Sequence, residues 1–140
     1  MADLFRTTRL VEFGDTDMAG IVHFANFFRY MESAEHAFLR SLGLSVAFDR
    51  EGEHLSFPRV SASCDYLKPA RFQDVLEVTV AVRRLGRSSV TYAFEFFKDG
   101  ELIAKGQVSS VCCLVREGHE IESMPIPPAL RAKLESMSEA

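Results

Sequence analysis

The sequence predicts an α+β domain in which one long amphipathic helix is covered by an antiparallel β-sheet. Three observations carry that expectation: a single run of helical periodicity near the N-terminus, several β-like segments after it, and a tight-turn signal between two of those segments. A lone amphipathic helix must bury its apolar stripe, and a sheet is the only large apolar partner this order of elements supplies.

Residues 4–13 read as the first strand, because Phe5, Leu10, Val11 and Phe13 alternate in part and Thr7 and Thr8 favour extended backbone. A polar loop bounded by Gly14 and Gly20 follows. Over residues 21–42, Phe24, Phe27, Phe28, Met31, Ala34, Phe38 and Leu42 recur at spacings of three and four, which predicts the long helix. Gly43 is placed to stop it, since glycine takes the left-handed conformation that closes a helix end. Residues 44–54 are less regular and have room for one helical turn. Strands are expected over residues 56–67, 75–85, 88–98 and 101–115. Asp99-Gly100 and the short Leu85-Gly86-Arg87 connection make the last three of these antiparallel neighbours. Pro125, Pro127 and Pro128 then delay a terminal helix over residues 129–137.

The last strand is apolar on both faces through Val108, Val111, Cys112, Cys113, Leu114 and Val115, which predicts burial beyond the chain's own core, with a homodimer interface as the candidate. No repeat or linker interrupts residues 1–140, so one domain is expected. A sheet wrapped round a single helix is the hotdog architecture.

Composition excludes several classes. With 20 acidic against 16 basic residues and a formal charge of -4, and with no Lys/Arg-rich run, nothing points to nucleic acid or an anionic membrane. Residues 1–6 lack the apolar stretch of a signal peptide, and no run of about 18 apolar residues could span a bilayer. A cytoplasmic protein is expected. Cys64, Cys112 and Cys113 form an odd set without CxxC spacing, and His23, His36, His54 and His119 are scattered, so neither a disulfide framework nor a metal site is expected.

The segment from Glu12 to Tyr30 carries the chemistry. It joins an aromatic-ended strand, the turn Asp15-Thr16-Asp17, Gly20, the aliphatic pair Ile21-Val22, and His23-Phe24 opening the helix. A helix start offers unpaired amides and the positive end of the helix dipole, both suited to negative charge developing on a carbonyl oxygen. Asp17, just before it, could attack the carbonyl carbon or activate water, and by position alone it is equally suited to capping the helix or closing the turn. Asp15 reads as a turn residue. Glu32, Glu35 and His36 read as a polar helical face.

These residues, in this order, closely resemble the 4-hydroxybenzoyl-CoA thioesterase family of hotdog proteins. The likeness continues more loosely through Leu67–Asp74 and Leu85–Val90. It implies hydrolysis of an acyl-coenzyme A thioester, with coenzyme A as part of the substrate and no separate cofactor. Asp17 is then the principal catalytic residue, with Gly20 allowing close approach of the ligand and the amides near His23 and Phe24 aimed at the thioester carbonyl. His23 orients the carboxylate or simply packs at the helix start, and Asn26 fixes the loop. The coenzyme phosphates fall to Arg87, Ser88 and Ser89, with Arg84 and Arg83 close by, although Gly86 and Ser88 replace part of the family's denser basic run, which implies either fewer phosphate contacts or contacts supplied by Lys68 or Arg71.

Phe57 stands where the 4-hydroxybenzoyl enzyme has a polar residue, which suits an aliphatic or plain aromatic acyl group better than a hydroxylated ring. The resemblance also implies a homodimer or homotetramer with sites at the subunit interface. Two other readings of the same fold compete: a β-hydroxyacyl dehydratase using His23 or His36, and a non-catalytic acyl-CoA binder.

Overall fold

The computed structural model describes residues 4–138. Strand β1 (Phe5–Leu10) is followed by a single 3-10 turn at Phe13–Asp15, the long helix α1 (Asn26–Ser41), the strands β2 (Ala47–Arg50), β3 (Glu53–Ser56), β4 (Arg59–Tyr66), β5 (Val75–Leu85), β6 (Ser89–Lys98), β7 (Glu101–Val111), β8 (Cys113–Val115) and β9 (Glu122–Ser123), and the short helix α2 (Pro128–Glu135). Two antiparallel sheets result, one in the order β1-β5-β6-β7-β4 and one in the order β2-β3-β8-β9.

Helix α1 lies on the larger sheet. Its Phe27, Tyr30, Met31, Ala34, Phe38 and Leu39 share one core with Val78, Val80 and Val82 of β5, Tyr92, Phe94 and Phe96 of β6, and Ala104 and Val108 of β7. Each large side chain so buried contributes about 1.5–3 kcal/mol of hydrophobic stabilisation. Gly106 sets how closely the helix can approach: a Cβ there would stand 2.6 Å from Met31 Sδ and 2.7 Å from the Ser63 carbonyl oxygen. Only a residue without a side chain fits that gap.

The end of α1 follows its sequence signal. Gly43 adopts a φ of 74°, its amide bonds the Arg40 carbonyl, and the Leu44 amide bonds the Leu39 carbonyl, which is the paired closure of a Schellman motif. Lys133 of α2 adds a hydrogen bond of 3.0 Å to the Leu42 carbonyl, placing a cation at the negative end of the helix.

The start of α1 is a correction, because the helix begins at Asn26 rather than at residue 21. Periodicity misplaced it: Val22 is instead bridged to Thr16 and donates its amide to the Ala70 carbonyl, so residues 21 and 22 close a loop. The irregular stretch 44–54 holds no helical turn; β2 and β3 form a hairpin there, closed by Glu51 and Gly52 at φ values of 51° and 80°. The strand expected over 56–67 is shortened to β4, which pairs with β7 at the far edge of the sheet.

The expected final strand breaks at Cys112. Its continuation, β8, crosses to the second sheet beside β3, so Cys112, Cys113 and Leu114 are buried within the chain itself. Their apolar character therefore does not require a second copy. No helix among the described residues is long and apolar enough to cross a membrane.

Candidate active site

The loop between β1 and α1 is held from several directions. Asp15 is its anchor. The Asp15 carboxylate accepts a hydrogen bond of 2.9 Å from the Tyr30 hydroxyl and one of 3.0 Å from the Glu12 amide, with the Arg9 guanidinium at 3.7 Å. The Asp15 carbonyl accepts from the His23 amide at 2.9 Å and from the Asn26 side-chain amide at 2.8 Å. Burial pushes the Asp15 carboxyl up, but the Glu12 amide, the Tyr30 hydroxyl and the Arg9 charge outweigh it and hold the group below its ordinary range. Asn26 thus ties the first turn of α1 to the loop, as the family resemblance implied.

Asp17 sits at the outer bend of this loop. Its backbone amide donates to the Ile21 carbonyl at 3.0 Å and its carbonyl accepts from the Gly20 amide at 2.9 Å, the latter with Gly20 at a φ of 78° that favours glycine. One carboxylate oxygen, Oδ1, accepts a hydrogen bond of 2.8 Å from the Ala19 amide. The turn role is therefore real. It occupies only that oxygen, and no described residue bonds Oδ2. Asp17 is exposed and lines an open depression of about 520 Å³ together with Phe13, Thr16, Met18, Gly20 and Phe72. Phe13 and Phe72 meet edge to face, with ring centroids 5.8 Å apart, and form one wall. A carboxylate fixed by one oxygen and free at the other, beside an apolar wall, has the geometry that a nucleophile or general base requires.

His23 and Phe24 do not line this depression. The His23 amide is engaged by the Asp15 carbonyl, so it has no free N–H to offer a substrate. The His23 ring stacks on Phe24 with centroids 4.7 Å apart, and its Nδ1 accepts from the Ala25 amide at 3.2 Å, which puts the ring in a capping role at the entry to α1. The Phe24 amide makes no hydrogen bond among the described residues, while its carbonyl accepts from the Tyr66 hydroxyl at 2.9 Å. Of the two amides expected to face a carbonyl, one is thus occupied and one is open.

The basic group expected at the mouth lies elsewhere. Asp17 is near the β1 end where Leu10 pairs with Val75, whereas Arg84, Arg87, Ser88 and Ser89 cluster around the β5–β6 turn, at the other end of β5. The 11 residues of β5 separate them, on the order of 30 Å at ~3.3 Å per residue. The turn itself is firmly built, with the Arg131 guanidinium donating to the Gly86 and Arg87 carbonyls and the Cys112 amide to the Ser88 carbonyl. Within one chain these residues do not join Asp17. At the Asp17 end, Lys68 pairs with Glu101 at 2.9 Å and Lys98 with Asp74 at 3.0 Å, while the Arg71 side chain, next to Phe72, makes no ion pair among the described residues and acts on Asp74 only through its charge.

Two residues were read differently from the sequence. Glu35 is not part of an exposed polar face: it is buried, and Arg59 of β4 reaches it at 3.1 Å and Glu32 at 3.6 Å. Burial, only partly offset by Arg59, pushes the Glu35 carboxyl up. A charged position on the helix's apolar side, four residues after Met31, was the signal available. Phe57 belongs to the core and lines no part of the depression. Among the described residues no three His, Cys, Asp or Glu side chains are placed to hold a metal ion.

Comparison with known proteins falls on this framework. The sequence pattern of the thioesterase-like superfamily matches residues 11–134. A protein of Aquifex aeolicus that carries an esterase name is 38% identical over 117 residues, covering 84% of this chain and 88% of that one. A 1,4-dihydroxy-2-naphthoyl-CoA hydrolase of Thermosynechococcus vestitus is 32% identical over 132 residues, covering 94% and 88%. Among solved structures, a gentisyl-coenzyme A thioesterase superposes with a TM-score of 0.79 at 29% identity, covering 93% of this chain and 99% of that one.

Proposed function

The chain belongs to the thioesterase-like superfamily, and from that premise we propose that it is an acyl-CoA thioester hydrolase whose chemistry is carried by Asp17. The relatives include a 1,4-dihydroxy-2-naphthoyl-CoA hydrolase and a gentisyl-coenzyme A thioesterase, and a sheet covering one long helix runs through the described residues 4–138. The observation that carries the proposal is the Asp17 carboxylate, held at Oδ1 by the Ala19 amide and free at Oδ2 over the depression walled by Phe13 and Phe72.

Attack by Oδ2 on the thioester carbon moves the carbonyl π electrons onto oxygen, which calls for an amide donor, and the unbonded Phe24 amide at the helix entry is the candidate we propose. Collapse of the tetrahedral species expels the coenzyme A thiolate, which takes up a proton, and leaves a mixed anhydride on Asp17. Water cleaves the anhydride to the free acid and restores the carboxylate. As a general base, Asp17 instead takes a proton from the attacking water and passes it to the departing sulfur. The geometry serves both routes, because each needs only a fixed, unprotonated oxygen beside the carbonyl.

A second copy of the chain completes the site in this reading. Phe13 is 74% exposed, Phe24 62%, Phe72 50% and Val75 58%, all at the Asp17 end of the molecule. Large apolar side chains gathered beside a reactive loop call for a cover. The distant Arg84, Arg87, Ser88 and Ser89 reach a coenzyme bound at Asp17 only from a partner subunit, so a homodimer or homotetramer accounts for both features. Release of free thiol from a panel of aliphatic and aromatic acyl-CoA compounds tests the activity. Failure of every compound to react would remove it.

A further inference from the structure

A second concavity lies on the solvent side of α1, away from the depression at Asp17. It encloses about 270 Å³ and is lined by Arg9, Arg29, Glu32, Ser33, His36 and Arg40. Positions 29, 33, 36 and 40 succeed one another at intervals of four, three and four, which stacks them along one face of the helix. Arg9 joins them from β1.

Charge is unevenly distributed here. Three guanidinium groups and an imidazole line the groove against one carboxylate, in a chain whose net charge is -4. Glu32 is drawn toward Arg59 at 3.6 Å, and Glu35, adjacent in the helix, is held by the same Arg59 at 3.1 Å. The side chains of Arg29 and Arg40 make no ion pair or hydrogen bond among the described residues. Two further nitrogens, Arg9 Nε and His36 Nε2, are buried without any hydrogen-bond partner. Buried polar groups are nearly always paired, so two nitrogens without a partner beside one groove mark a place where the chain's own contacts leave polar groups unsatisfied.

We propose that this groove is a binding site for a phosphoryl anion, either a free phosphate or pyrophosphate or the phosphate of a nucleotide. Guanidinium forks match phosphate oxygens in bidentate pairs, and three of them with an imidazole and the Ser33 hydroxyl offer more donors than the two oxygens of a carboxylate can use. Bound anion would share Arg9 with its present neighbours. The Arg9 guanidinium lies 3.7 Å from Asp15 and 4.8 Å above the Tyr30 ring, and both residues hold the loop that carries Asp17. The site rests on the groove's own charge and stands whether or not the chain hydrolyses thioesters.

Calorimetric titration of the full chain with pyrophosphate and with adenosine 3′,5′-bisphosphate, at constant ionic strength, tests it. At least one probe is expected to bind saturably, the tighter one identifying the source of the phosphate, with Kd rising at least tenfold in the double variant Arg29→Gln/Arg40→Gln. Both arginines are exposed and unpaired, so the variant keeps its fold, which circular dichroism checks. Amide chemical shifts on binding are expected to centre on Arg29, Ser33 and His36. Absence of saturable binding by both probes, an unchanged Kd in the double variant, or shifts centred on Arg84 to Ser89 instead would overturn the proposal.

Discussion

Replacing Tyr30 by phenylalanine removes one oxygen from a buried position and leaves the helix face otherwise intact. The lost interaction is the 2.9 Å hydrogen bond to the Asp15 carboxylate, a neutral donor to a charged acceptor. Such bonds contribute about 1.5–3 kcal/mol, and Asp15 keeps its Glu12 amide and Arg9, so the lower half of that range is expected at pH 7. With a urea slope of about 1–3 kcal/mol per molar for a domain of this size, the unfolding midpoint falls by roughly 1 M.

The pH dependence makes this specific. Asp15 is held below its unfolded pKa, so its contribution is complete above that value and is lost as pH falls through the folded one. Burial and the Asp15 charge push the Tyr30 hydroxyl upward, which adds no slope below pH 10. Urea titrations from pH 3 to pH 8 should therefore show the two proteins separated most at neutral pH and converging toward the acid end. A separation that is constant across this range would refute the role given to Asp15, since it would mean that Tyr30→Phe acts through packing alone.

Other expectations follow from neighbouring contacts. Gly106→Ala should lower stability by about 1–3 kcal/mol, because its Cβ meets a backbone oxygen that cannot move aside, and thermal unfolding will show it. Arg59→Met strands the buried Glu35 carboxylate and should cost about 2 kcal/mol at pH 7, below the full buried-pair figure because Arg59 is one-third exposed. Glu35 has a raised pKa, so its burial is tolerated in the protonated form, and that deficit should shrink as pH falls through its folded pKa. Asn26→Ala removes the 2.8 Å tie to the Asp15 carbonyl and should cost about 1 kcal/mol of stability together with a measurable loss of kcat, read by urea titration and thiol release.

Signals that are local in the chain were the legible ones. Gly43 and Asp99-Gly100 announce a helix stop and a hairpin, because a positive φ is a property of the residue itself. The β2–β3 hairpin escaped notice because Glu51 takes the position that asparagine or aspartate normally fills. The start of α1 was misplaced because Val22 satisfies helical spacing and loop closure equally well, and only the Ala70 carbonyl, distant in sequence, decides between them. For the same reason the pairing of Glu35 with Arg59 was invisible. The break at Cys112 turned a double-sided apolar run into burial by the chain's own second sheet, something no periodicity can reveal. Asp17 and Gly20 line one depression and Asn26 ties its loop to the helix, whereas Arg84 and Arg87 follow β5 to the far end of the molecule.

The most direct trial of the account is the turnover number of Asp17→Asn on whichever acyl-CoA the unmodified chain hydrolyses. Asparagine keeps an oxygen to accept the Ala19 amide and replaces the second carboxylate oxygen, so the loop bond survives while the proposed nucleophile or base is lost. The account expects kcat to fall by about 100-fold or more with little change in unfolding midpoint. Hydrolysis at the unmodified rate would contradict it and move the chemistry to another group.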